Sequence, residues 1–191
     1  DVSNITVTLD KTSAEYTGNV QAAPSLKFSG VNAEKLKEGT HYTISWGEEI
    51  KDVKTYTPTF AWTEAATGTK PSVTTTGGAA IQPLTFVITP CDLSKVNISI
   101  PEQEDDTNKN LQDKIKPLII FKNASNVQLN LNNDITVTVR DNTANSRIAV
   151  VGANTTNVTG VSSDVVFSVK AGISNYELVG VEPKTYTGQP I

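Results

Sequence analysis

The chain has 191 residues, a net charge of −4, 37% hydrophobic and 19% charged residues, one His, one Cys and no Met. No cluster of Lys and Arg suits the displacement of phosphate counterions, no apolar run approaches the roughly 20 residues that span a bilayer, and a single Cys excludes an internal disulfide. Thr, Ser and Asn fill the deficit, a mixture that suits exposed strand faces and turns.

The first element reads Asp1-Val2-Ser3-Asn4-Ile5-Thr6-Val7, and Ile5, Val7 and Leu9 alternate with polar residues. Strict alternation marks a half-buried strand, because successive side chains point to opposite faces. Tyr16-Thr17-Gly18 follows. Pro24-Ser25-Leu26-Lys27-Phe28 predicts a second strand that begins at a proline, where the missing N–H is tolerated. Val31 to Glu38 offers one helical turn at most. Tyr42-Thr43-Ile44-Ser45-Trp46 predicts a third strand, and Tyr56 to Trp62 a fourth with Tyr56, Pro58, Phe60 and Trp62 on one face. Leu84-Thr85-Phe86-Val87-Ile88 closes the series.

The pattern then starts again. Asp92-Leu93-Ser94-Lys95-Val96-Asn97-Ile98 echoes the opening, with Val96, Ile98 and Ile100 each 91 positions after Ile5, Val7 and Leu9. Pro117-Leu118-Ile119-Ile120-Phe121 restates the second strand 93 positions on. A helical pattern over Leu111 to Ile119 is interrupted by Pro117. Ile135 to Val139, Arg147 to Val151 and Val165 to Val169 supply the remaining counterparts. A third opening, Gly172-Ile173-Ser174-Asn175-Tyr176-Glu177-Leu178, precedes Tyr186-Thr187-Gly188. Glycines such as Gly18, Gly30, Gly39, Gly47, Gly77-Gly78, Gly152 and Gly160 punctuate the runs.

Recurrence at a fixed period predicts an array. Short strands with regular turn signals predict an all-β fold of tandem immunoglobulin-like β-sandwiches in an extended array. The expected units are residues 1–90, residues 91–170, and the first strand or strands of a truncated third repeat at 171–191. The junctions Thr89-Pro90-Cys91-Asp92 and Lys170-Ala171-Gly172 are short, so the last strand of one unit is expected to run almost directly into the next. Starting at Asp1 and lacking Met, the chain reads as a mature or excised segment.

Unit one contains Tyr16-Thr17-Gly18, Pro24, and then Glu38-Gly39-Thr40-His41-Tyr42-Thr43-Ile44-Ser45; unit three begins Tyr186-Thr187-Gly188-Gln189-Pro190-Ile191. In these motifs the chain resembles the tandem immunoglobulin-like repeats of large bacterial surface and secreted proteins. The resemblance implies all-β stalk modules with spacer or adhesive roles. Unit two lacks the Tyr-Thr-Gly triplet and carries Asp105 to Leu111 there, so it is assigned by its strands alone.

Candidate chemistry is sparse. His41 opens an alternating strand in opposite phase to Tyr42, which predicts a solvent-facing imidazole rather than the base of a Ser-His-Asp system. One His and one Cys cannot assemble a zinc site. Asp106-Thr107-Asn108-Lys109-Asn110 places oxygens at Asp106, Asn108 and Asn110, the alternate spacing of a calcium loop, with Glu102, Glu104 and Asp105 nearby. Leu111 stands where an EF-hand needs glycine, and a solvated acidic loop is the favoured reading. Asn130, Asn132, Asn133 and Asp134 form a second oxygen-rich turn. Trp46 and Trp62, with Tyr42, Tyr56 and Phe60, are candidates for a glycan-stacking platform, against core packing as the favoured reading. Lys27 and Lys114 are candidates for Lys–Asn isopeptide crosslinks. Asn4, Asn97, Asn123, Asn154 and Asn157 lie in glycosylation sequons.

The expected function is a non-enzymatic structural or spacer module of a repetitive bacterial surface, adhesin or fibre protein, extracellular and without a cofactor. Its expected partners are neighbouring repeats, other copies in a surface assembly, and a host or glycan receptor. Two alternatives use the same sandwiches: a phage virion fibre or decoration protein, and a carbohydrate-binding module.

Overall fold

The computed structural model describes residues 5–30, 33–63 and 84–170. Val31, Gly77-Gly78, the Asp1–Asn4 opening and the whole expected third repeat, 171–191, lie outside the described residues. Strands dominate. The first half carries β1 (Thr6–Leu9), β2 (Ser13–Glu15), β3 (Leu26–Ser29), β4 (Tyr42–Ser45), β5 (Thr55–Tyr56), β6 (Thr59–Trp62) and β7 (Phe86–Thr89). The second carries β8 (Cys91–Asp92), β9 (Asn97–Ser99), β10 (Gln103–Glu104), α1 (Asn108–Ile115), β11 (Ile120–Lys122), β12 (Gln128–Leu129), β13 (Ile135–Thr143), β14 (Ser146–Ala153), β15 (Val158–Thr159) and β16 (Val165–Lys170). Among the described residues no helix is long and apolar enough to cross a membrane.

The ladders of the two halves agree residue by residue. β1 and β3 pair antiparallel with Thr6 opposite Ser29 and Val7 opposite Phe28. β9 and β11 pair with Asn97 opposite Lys122 and Ile98 opposite Phe121. The first member of each pair has moved by 91 positions and the second by 93. β4 and β6 place Tyr42 opposite Trp62 and Ile44 opposite Phe60; β13 and β14 place Ile135 opposite Ala153 and Val137 opposite Val151, shifts of 93 and 91. β7 pairs antiparallel with β5, Tyr56 opposite Phe86, as β16 does with β14, Arg147 opposite Phe167. It also pairs parallel with β2, Glu15 opposite Thr89, as β16 does with β10, Glu104 opposite Lys170. A one-residue slip in any ladder would turn that strand's apolar face outward, so such agreement reflects the same alternation in both halves.

Departures from the common pattern have local causes. β14 is continuous, whereas its counterpart breaks into β5 and β6 at Thr57-Pro58. Pro58 aligns with Ala149, and a proline has no N–H to give a ladder. The predicted fourth strand is therefore two strands. The helix is a second departure. Thr107 accepts the Asn110 N–H on its side chain at 3.3 Å, and Leu111 and Ile115, one turn apart, are fully buried against Val139, Ala149, Phe167 and Val169. The α-helix ends where Pro117 removes the next donor, and a 3-10 turn over Lys116–Leu118 follows. In the first half, among the described residues, a 3-10 turn over Ala33–Lys35 stands between β3 and β4.

The junction near residue 90 is not the waist that two self-contained units would have. β7 ends at Thr89 and β8 starts at Cys91, so the passage is as short as expected. Cys91 and Leu93 are fully buried in one central cluster that takes Tyr16, Ile50, Tyr56, Phe86 and Ile88 from the first half. From the second half it takes Phe121 and Leu129 on β11 and β12, and Ile135 and Val151 on β13 and β14. Two smaller clusters border it, one through Leu9 and the other through Ile100 and Val137. One gathers Ile5, Val7 and Leu84 with Phe28, Phe60 and Trp62; the other sits beneath α1. The boundary at 90/91 thus passes through shared core.

Candidate functional site: the buried joint between the halves

The joint is built by the turn after β2, the loop before β5, and two turns of the second half. β2 ends beside β7, and the Tyr16 N–H continues that ladder by donating to the Thr89 carbonyl at 2.8 Å. This fixes the direction of Tyr16, whose ring is buried and whose hydroxyl donates to Asp134 Oδ2 at 2.8 Å. The next carbonyl, that of Thr17, accepts the Asn130 N–H at 2.8 Å. Gly18 then turns the chain away at φ +77°, a conformation that costs a side chain about 1–2 kcal/mol. A Cβ there would also lie 1.7 Å from the Asn130 carbonyl oxygen. Both facts demand glycine.

Asp134 is buried at 7% exposure, so its lone pairs must find donors inside the protein. Besides Tyr16, Thr155 Oγ1 donates to Oδ1 at 2.8 Å and Asn157 Nδ2 at 3.4 Å. Asn157 spans the halves again: its Oδ1 accepts the Val53 N–H at 3.0 Å, and its Nδ2 reaches Asp52 Oδ1 at 3.3 Å. Tyr56 holds the loop that presents Asp52 and Val53, donating to the Asp52 carbonyl at 3.0 Å and accepting the Lys51 N–H at 2.9 Å. Burial raises the Tyr16 phenol well above the ordinary phenol range, and its bond to the Asp134 carboxylate adds to the effect. Beneath the joint, burial and then the nearby Glu15 carboxylate push the Cys91 thiol up to about 12. A thiol held protonated in this way is not a nucleophile.

The matching end of the second half is built differently. Asp105 takes the place of Tyr16, donating its N–H to the Lys170 carbonyl at 2.8 Å as Tyr16 does to Thr89. Arg147, opposite Phe167 as Tyr56 is opposite Phe86, reaches Asp105 Oδ1 with Nη2 at 2.6 Å. An ion pair stands where the first half has two buried tyrosines.

The structure disperses the other candidates. Asp106, Asn108 and Asn110 lie at the N-terminus of α1, not on a calcium-type loop. Asp106 accepts from the Thr107 N–H at 2.7 Å and Asn110 Nδ2 at 3.0 Å, and pairs with Lys114 at 2.6 Å. The Lys114 ammonium, first among these, lowers the Asp106 carboxyl to about 2. Asn108 turns instead to Asp141 at 3.1 Å. Glu102 and Glu104 flank the Lys170 ammonium at 3.6 and 3.7 Å. Lys114 is exposed and paired with Asp106, not desolvated as an amine that forms an isopeptide bond is, and Lys27 is exposed.

Trp46 and Trp62 do not form one platform. Trp46 meets Phe86 edge-on at 6.4 Å in the central cluster, while Trp62 packs with Phe28 at 6.0 Å and Phe60 at 5.0 Å in the neighbouring one. His41 is half-buried, its Nδ1 accepting the Lys37 N–H at 3.1 Å. The Asn157 carboxamide is engaged in the joint, so a glycan at that sequon would displace it. The sequence marks Tyr16 as part of the recurring Tyr-Thr-Gly triplet and Asp134 as part of an oxygen-rich turn, but nothing in it links the two. No family model, curated protein or solved structure matches this chain.

Proposed function

We propose that the chain is a non-enzymatic structural module: successive immunoglobulin-like β-sandwiches that give length and stiffness to a repetitive bacterial surface, adhesin or fibre protein outside the cell. The observation that carries this reading is the double set of ladders in equal register, joined through one buried cluster. Within each half a short strand runs parallel to the last strand; the second half adds the parallel pair β8 and β15, and the remaining ladders are antiparallel. In the second half, side chains of a three-stranded and a four-stranded sheet meet in one core, as two facing sheets do. A joint of buried aromatic and hydrogen-bonded groups resists bending better than a flexible linker, which suits a spacer.

In this reading the partners are adjoining units of the same protein. Small-angle scattering of the whole chain tests it. The expected particle is elongated, with one long dimension near the summed lengths of two sandwiches; a near-spherical particle contradicts the spacer role.

A further inference from the structure

All three residues of the Tyr-Thr-Gly triplet enter the joint. The Tyr16 phenol serves the Asp134 carboxylate, the Thr17 carbonyl takes the Asn130 N–H, and the missing Cβ of Gly18 admits the Asn130 carbonyl. The receiving turn is compact, offering a backbone N–H at Asn130 and a carboxylate at Asp134 just before β13.

The corresponding places elsewhere lack these features. The second half has Asp105 in the Tyr16 position. In the first half Lys37 and His41, each 93 positions earlier, stand for Asn130 and Asp134. There His41 Nδ1 accepts the Lys37 N–H, so that turn closes on itself. Plug and socket therefore occur as a matched pair, not as general features of every unit.

We propose that Tyr-Thr-Gly is a coupling motif and that Tyr186-Thr187-Gly188 is its second instance in this chain. The partner it fits is another β unit whose turn presents a carboxylate and a backbone N–H spaced like Asp134 and Asn130. This rests on the reading of the chain as a string of units. It implies that coupling is selective: the first and third units carry the plug, and the second does not.

The test titrates a peptide of residues 183–190 into the isotope-labelled full chain carrying Gly18→Val, whose side chain forces its own plug from the socket. Saturable amide shifts at Asn130, Asp134, Thr155 and Asn157 are expected. The peptide with Tyr186→Phe should bind at least about tenfold more weakly, having lost a hydrogen bond to a charged acceptor. Equal binding of the Phe peptide, or no saturable shift at the socket, overturns the proposal. If Gly18→Val unfolds the chain, Tyr16→Ala serves instead, with the amides of β13, β14 and β16 reporting that the second half is intact. An elongated unaltered chain with a silent socket would discard the coupling motif while leaving the spacer reading in place.

Discussion

Tyr16 and Asp105 occupy the same place on corresponding ladders, each donating its N–H to the end of the strand beside it. Tyr16 crosses into the other half and is buried there; Asp105 folds back onto Arg147 of its own half. The difference teaches that a shared ladder fixes where a side chain leaves the sheet, whereas its chemistry decides what it joins. A phenol has an apolar ring to bury and one hydroxyl to satisfy. A carboxylate at the same place needs a cation, and the second half supplies one by replacing Tyr56 with Arg147.

Substitutions at matched positions can break or sharpen this comparison. The largest effect should come from Phe121→Ala. Phe121 is fully buried in the central cluster, so the loss should be about 3–5 kcal/mol, against roughly half of that for the half-buried Phe28 at the corresponding place. Urea unfolding of both variants checks the ratio; equal losses would deny that the centre of the molecule is its most tightly packed region.

Next comes Gly18→Ala, with an expected loss of about 2–4 kcal/mol, because backbone strain and overlap with Asn130 act together. Gly39→Ala is the control: its φ is +75° but nothing lies within 4 Å of the added carbon, so about 1 kcal/mol is expected from strain alone. Equal costs would show that the contact with Asn130 carries no energy.

Tyr16→Phe should cost about 1–3 kcal/mol, the value of a hydrogen bond to a buried charged acceptor. Its partner Asp134 keeps Thr155 and Asn157, which limits the loss. In a double-mutant cycle with Asp134→Asn, a coupling near zero would remove the phenol from the joint.

The smallest effect is a dependence on pH. The folded state holds the Asp106 carboxyl at about 2, below its unfolded value, so this pair stabilises the chain above the unfolded carboxylate range and the contribution is lost as pH falls towards about 2. The pair is exposed, so Lys114→Gln should flatten the acid limb of the stability profile only slightly.

Much of the fold was legible because alternation survives translation along the chain. The opening strands with Val7 and Ile98, the proline-led strands with Phe28 and Phe121, and the closing strands with Phe86 and Phe167 all occupy matching ladder positions. The two-residue strands β8, β10, β12 and β15 were not legible, since two residues show no period. α1 was obscured because Asp106, Asn108 and Asn110 have the oxygen-rich composition of a loop, and only Leu111 and Ile115 betray its buried side. The joint escaped for another reason. Tyr16 and Asp134 are 118 residues apart, and nothing local to either specifies the other. The shared core at residues 90–93 was hidden likewise: a lone Cys91 reads as a small core residue, but nothing local to it or to Leu93 says that the core they enter belongs to both halves.

Both tryptophans lie in the first half; Trp46 packs against the shared central cluster, so in a Trp46→Phe background the emission of Trp62, packed among first-half residues only, reports that half. Leu111, fully buried beneath α1, lies in the second. Urea unfolding of Leu111→Ala in that background, followed by tryptophan emission, therefore asks whether the halves stand or fall together. Coupling through the Tyr16–Asp134 joint predicts a midpoint shifted to lower urea, coincident with the circular dichroism transition. An unmoved tryptophan curve beside a separate, earlier loss of strand signal would contradict it.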